Sequence, residues 1–220
     1  GHRRGQRHVH HVVAGESTRG KRQRKDWHDD GAAADAEQTG KETDEYAYTD
    51  VGRRFLMHGQ DRFGDWPALR TALLDLEQDP VAQGFDAGRY DLVAGANVVH
   101  ATADIAQTLR YMRNVLRPGG MLLLVETVRP NAFADCTVGL LDGWWAFRDT
   151  AWRSDYPLLT SEQWCALLGQ HDFAATVIEV DRAADGGSGT AVVIAVDRRT
   201  TAAPVVDLPG TATKPAPVAT

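Results

Sequence analysis

His100 and Glu126 are the two residues of this chain best placed to move a proton. His100 stands just past the apolar run Tyr90-Asp-Leu-Val-Ala-Gly-Ala-Asn97, and Glu126 closes the run Met121-Leu-Leu-Leu-Val-Glu126. An imidazole opposite a carboxylate is a base whose tautomer and orientation the carboxylate fixes. Three further strand ends carry polar groups: Asp50 at the end of Tyr46 to Asp50, Asp75 with Leu76 at the end of Leu69 to Leu76, and Asn97 with Val98 at the end of the Tyr90 run. Carboxylates there suit ribose hydroxyls and an adenine amino group, which both offer donors. Each residue also has a plainer role open to it. Asp50 could cap a helix starting near Gly52, Asp75 could be an ordinary loop acid, Glu126 could pair with Arg129, and His100 could be structural.

For these groups to meet, the runs that carry them must lie side by side with their carboxyl ends at one edge, where open α/β sheets bind ligands. The pattern supports that arrangement. Tyr46 to Asp50, Leu69 to Leu76 and Tyr90 to Asn97 read as strands, with a helix from Gly52 to Phe63 between the first two. Asp104 to Leu116 reads as a helix, with Ile105, Leu109, Met112 and Leu116 on one face and Pro118-Gly-Gly120 as its stop. The near-continuous apolar run Met121 to Glu126 fits a parallel strand covered on both faces. Thr160-Ser-Glu-Gln163 opens a capped helix to about Gly169, and Phe173 to Val180 pairs with Thr190 to Val196 through Asp-Gly-Gly-Ser-Gly. The expected fold is α/β: an open, mostly parallel sheet ending in an antiparallel hairpin strand.

The ordered set Tyr48-Thr-Asp50-Val, Leu74-Asp75-Leu-Glu77-Gln-Asp-Pro80, Tyr90-Asp-Leu-Val, Asn97-Val-Val-His100-Ala-Thr102 and Leu116-Arg-Pro-Gly-Gly120-Met-Leu-Leu-Leu-Val-Glu126 resembles a class I S-adenosylmethionine-dependent methyltransferase. More narrowly, it is similar to the C-methyltransferase domain of modular and iterative polyketide synthases. Gly139-Leu-Leu-Asp-Gly-Trp-Trp145, Tyr156-Pro-Leu-Leu159 and Glu162-Gln-Trp164 add to that likeness, which covers roughly Tyr46 to Asp197. The resemblance implies a Rossmann-like fold with S-adenosylmethionine as cofactor. It assigns Asp50 to the ribose, Asp75 and Leu76 to the adenine, Asn97 and Val98 to the methionine side, and His100 with Glu126 to a catalytic dyad. The implied reaction is methylation of the α-carbon of a β-ketoacyl thioester. The implied partners are an acyl carrier protein with its phosphopantetheine-linked chain and other polyketide synthase domains. Flanking carbonyls make that α-proton acidic enough for an imidazole to remove. A non-catalytic remnant and a small-molecule O-methyltransferase of the same fold are the alternative readings.

One motif of the family is not found. A strand ending in Glu-x-Gly-x-Gly-x-Gly should precede Tyr46, where the chain instead has Lys25-Asp-Trp-His-Asp-Asp-Gly-Ala-Ala-Ala. The first strand and glycine motif are therefore expected to be missing, leaving a sheet edge to be covered or paired. Residues 1–45 read as a disordered or non-homologous segment, 46–199 as the C-terminal two-thirds of the methyltransferase domain, and 200–220 as a Pro/Ala/Thr-rich linker. The first 28 residues hold five of the eight histidines and a basic cluster, but without metal-ligand spacing or aromatic interleaving. The net charge of −6 argues against nucleic acid as the main partner. No apolar run approaches the roughly 18 to 20 residues of a membrane span. Two cysteines without metal spacing, Cys136 and Cys165, read as small packing residues, and a reducing cytoplasm is the simplest compartment. Trp144, Trp145, Phe147 and Trp152 read either as core or as a wall over an acyl chain, and Arg148 and Arg153 as solvated charges rather than phosphate ligands.

Overall fold

The apolar runs pair into one seven-stranded sheet. The computed structural model describes residues 45–180 and 189–200, together with the main chain of Val12–Gly15. In chain order the strands are β1 (Val12–Gly15), β2 (Tyr46–Asp50), β3 (Leu69–Leu73), β4 (Tyr90–Ala96), β5 (Leu116–Thr127), β6 (Phe173–Glu179) and β7 (Thr190–Asp197). Their spatial order is β3-β2-β1-β4-β5-β7-β6. β2 and β3 are parallel, as are β4 and β5, while β7 runs antiparallel to both β5 and β6. β1 is antiparallel to both of its neighbours, so β2 and β4 point the same way. The four carboxyl ends of β2, β3, β4 and β5 therefore share one edge, as the sequence requires.

The place expected to be left empty by a missing first strand is taken by Val12–Gly15, and the edge is paired on both sides. The strand is inverted relative to its neighbours. Gly15 pairs with Tyr46 and Leu92 near the starts of β2 and β4, so β1 runs away from the edge that carries the polar groups. The rest of residues 1–44, residues 201–220 and residues 181–188 of the hairpin turn lie outside the described residues.

The helices follow their caps. α1 (Arg53–Phe63) packs on β2 and β3, with Gly59 against Tyr48: a Cβ there would sit 2.5 Å from the tyrosine ring. α2 (Ile105–Val115) starts at Asp104, whose side chain accepts from Gln107 N at 2.8 Å. It buries Ile105, Leu109 and Met112 against the opposite face of the sheet. The helix gives way to extended backbone at Leu116, and Gly119 at φ 72° turns the chain toward the main run of β5. α3 (Ala132–Cys136) is one short turn capped by Asn131. α4 (Ser161–Gln170) has both halves of the capping box on Thr160 and Gln163, and buries Trp164, Leu167 and Leu168 completely.

Two further expectations change. β5 is fully covered on one face only: Leu122, Leu124 and Glu126 are buried, whereas Met121, Leu123 and Val125 are half-buried. Cys136 and Cys165 are exposed free thiols rather than packing residues.

Asp197 locks the end of β7 to α2. Its buried carboxylate accepts from Arg113 Nε at 3.0 Å and Arg199 Nε at 2.5 Å, while Arg199 Nη2 donates to the carbonyls of Arg113 and Leu116. Burial pushes the Asp197 pKa up, but the bonds from Arg199 and Arg113 outweigh it and leave the pKa below the ordinary value. A carboxyl with a depressed folded pKa stabilises fully above the unfolded value, about 3.9, and loses that contribution as pH falls through the folded value. Asp197→Ala should therefore lower stability by about 3 kcal/mol at pH 7, and by progressively less as the pH is taken below about 4. Urea unfolding of both chains across that range checks it.

Candidate active site

The turn after β4 brings His100 and Glu126 together. Asn97 takes a left-handed conformation, φ 49°, which asparagine tolerates better than most residues. Its Oδ1 accepts from Thr127 N and Thr127 Oγ1, each at 3.0 Å, so the ends of β4 and β5 are fastened side by side. Residues Val99–Ala101 then form a single 3-10 turn that holds His100, 7% exposed, over Glu126, which is fully buried.

The two oxygens of Glu126 have separate tasks. Oε1 accepts from the backbone N–H of Val98 at 3.2 Å and of Val99 at 3.0 Å. Oε2 meets His100 Nδ1 at 2.5 Å. With the carboxylate on Nδ1, that nitrogen carries the proton, and the lone pair is on Nε2. Among the described residues no hydrogen bond is made to Nε2. The ion pair between Glu126 and Arg129 does not form; Arg129 pairs with Glu179 instead. This pairing of a base with a buried carboxylate orients the ring and can stabilise the imidazolium formed when Nε2 takes a proton.

The other predicted residues line the same edge. Asp50 is 2% exposed, and its Oδ1 accepts from Gly52 N at 2.6 Å, one residue before α1 begins. Asp75 is tied to it through the strand ends, since Leu74 N donates to the Asp50 carbonyl at 3.1 Å. The Asp75 carboxylate accepts from Glu77 N and Gln78 Nε2, which shape its own loop. The Leu76 side chain belongs to the hydrophobic core. Glu77 bridges this loop to the histidine turn, accepting from Ala103 N at 2.9 Å. The edge thus presents acceptors on adjacent strands, a set that fits a ligand bearing hydroxyl and amino donors.

Aromatic residues close the side beyond His100. Trp144 meets the imidazole edge-on at 5.4 Å, and Tyr156 packs edge-on to both Trp144 and Trp145. Tyr156 donates to Asp135 at 2.6 Å, and burial together with that acid pushes its pKa up to about 12. It stays protonated at neutral pH. Of the four aromatic residues read as core or wall, Trp144 stands beside the base, Trp152 packs on the core, and Trp145 is 46% exposed.

Sequence reasoning placed Arg153 in solvent, yet it is 1% exposed and lies beneath the histidine turn. The available signal was Asp149, four residues earlier, which pairs with it. Such spacing is common on exposed helices, so it does not announce burial.

The sequence has clear relatives. A family model described as a methyltransferase domain matches residues 30–122. The highly reducing polyketide synthase azaB of Aspergillus niger is 40% identical over 143 residues, which is 64% of this chain and 6% of that protein. Among solved structures, the CurJ carbon methyltransferase is 42% identical with a TM-score of 0.65, covering 69% of this chain and 41% of that one. The trans-methyltransferase CalH, solved in complex with SAH, is 32% identical with a TM-score of 0.62, covering 70% of this chain and 42% of that one. The chain thus spans a small part of the curated relative and about two-fifths of these solved chains.

Proposed function

We propose that this chain, which matches a methyltransferase family model over residues 30–122 and is similar to a polyketide synthase and to a carbon methyltransferase, methylates the α-carbon of a β-ketoacyl thioester held on an acyl carrier protein. The observation that carries the reading is the His100–Glu126 pair, with Oε1 held by two backbone N–H groups and Oε2 on the imidazole, at the edge shared by four strand ends.

Asp50 would hold the ribose of S-adenosylmethionine, Asp75 and Leu76 the adenine, and Asn97 and Val98 the methionine side. When bound, the cofactor supplies an electrophilic methyl group on its sulfonium. His100 Nε2 takes the proton from the carbon between the two substrate carbonyls, and the C–H electron pair becomes the enolate. Glu126 balances the imidazolium that forms and keeps its ring in place. Trp144, edge-on to the imidazole, would form one wall beside the base. The strand-end residues that would hold the cofactor would set its methyl group in line with the α-carbon at the His100 side of the edge. Positioning supplies much of the rate.

The test is incubation of the chain with S-adenosylmethionine and a β-ketobutyryl thioester, followed by mass spectrometry and NMR of the product. An α-methyl product is expected. Methylation at oxygen, or no methylation by a folded chain that binds S-adenosylhomocysteine, overturns the reading.

A further inference from the structure

The turn that carries His100 has a second support besides Glu126, and it acts on the main chain rather than on the ring. The carbonyls of His100, Thr102 and Ala103 are met by one guanidinium. Arg153 Nη1 donates to His100 O at 2.8 Å and to Pro157 O at 3.4 Å. Arg153 Nη2 donates to Thr102 O at 2.8 Å and Ala103 O at 3.2 Å. The remaining donor, Nε, reaches Asp149 Oδ1 at 2.6 Å. Asp149 Oδ2 in turn accepts from Ile105 N at 3.0 Å, at the start of α2. Phe147 covers the guanidinium at 5.1 Å.

A buried cation is costly unless its donors are all met, and here every N–H group faces an oxygen. The arrangement is also specific in shape. A planar fork with five donors reaches several carbonyls at fixed angles, which an ammonium on a flexible stem cannot copy. One of the two carbonyls held at 2.8 Å is that of His100 itself, so the direction of its Cα–Cβ bond, and with it the line from Nδ1 to Glu126, depends on the fork.

We infer that Arg153 is a positioning residue for the base: with Asp149 it fixes the backbone of the His100 turn so that the imidazole keeps its bond to Glu126 and presents Nε2 to the substrate. The kinetic part of this inference rests on the methyl-transfer reading above.

The experiment uses the full 220-residue chain with Arg153→Lys, which keeps the charge but not the fork, and Asp149→Asn, which keeps Arg153 but weakens its anchor. Two quantities are read. One is kcat and KM with S-adenosylmethionine and a β-ketobutyryl thioester of N-acetylcysteamine. The other is the proton NMR signal of His100 Nδ1–H, assigned by its loss in His100→Gln. Arg153→Lys should fold and lose about 100-fold in kcat with KM changed by less than about threefold, because a small misplacement of a reacting group has that scale of effect. Its Nδ1–H signal should move or broaden. Asp149→Asn should show the same split with a smaller loss, about tenfold, and serves if the lysine variant does not fold. A folded variant that keeps both the wild-type kcat and the wild-type signal overturns the inference. If the unaltered chain transfers no methyl group, the methyl-transfer reading fails on its own, and the NMR signal still decides the role of Arg153: altered in the variants supports it, unchanged overturns it.

Discussion

Glu126→Gln should leave the fold intact and reduce methyl transfer by about 10³- to 10⁴-fold. The argument depends on which way the new amide must point. Val98 and Val99 both donate N–H groups to the Oε1 position, so the amide oxygen has to remain there. The NH₂ group is then directed at His100 Nδ1, where Oε2 stands now. Nδ1 must accept, which moves the ring proton to Nε2 and removes the lone pair from the side that, on the proposed chemistry, faces substrate. The base is present but reversed. Volume and both backbone bonds are kept, so thermal unfolding should change little while kcat collapses. Steady-state turnover with a β-ketoacyl thioester, set beside binding of S-adenosylhomocysteine by calorimetry, checks this. Turnover within tenfold of the unaltered chain would remove His100 Nε2 from the mechanism.

Asp50→Asn should weaken S-adenosylhomocysteine binding by about 10- to 100-fold, the scale of a hydrogen bond to a charged acceptor. Asparagine can still accept from Gly52 N through its carbonyl oxygen, at the position of the present 2.6 Å contact. What it presents beyond that is an amide nitrogen, which cannot accept from a ribose hydroxyl. The helix that follows should therefore persist while a ribose, on the proposed binding mode, loses a charged acceptor. Calorimetry on the two chains at equal salt reads the difference. Equal affinities would mean that Asp50 serves only the turn into α1.

Much of this arrangement is legible in the sequence because it rests on short, local patterns. Alternating or continuous apolar runs locate β2 to β7, and Asp104 and Thr160 announce the starts of α2 and α4. Once the strands are parallel, their ends must share an edge, so the approach of His100 to Glu126 follows from position alone. The features that escape have long-range causes. Four residues with little else apolar around them do not reveal that Val12–Gly15 will pair between two strands far along the chain, or in which direction. The Met121–Glu126 run reads as a strand covered on both faces, but coverage depends on which helices lie above it, and only alternate residues are fully buried. Arg153 escapes for a related reason. Its identity suggests solvent, and only the unmet carbonyls of a distant turn explain its burial.

The inverted strand has a mechanical meaning as well. It divides the sheet into two rafts, β3 with β2 on one side and β4, β5, β7 and β6 on the other, whose ladders are joined, among the described residues, through Val12–Gly15. Asp50 and Asp75 ride on the first raft, His100 and Glu126 on the second. On the proposed chemistry, the gap between methyl donor and acceptor carbon then depends in part on a four-residue spacer that takes no part in the reaction.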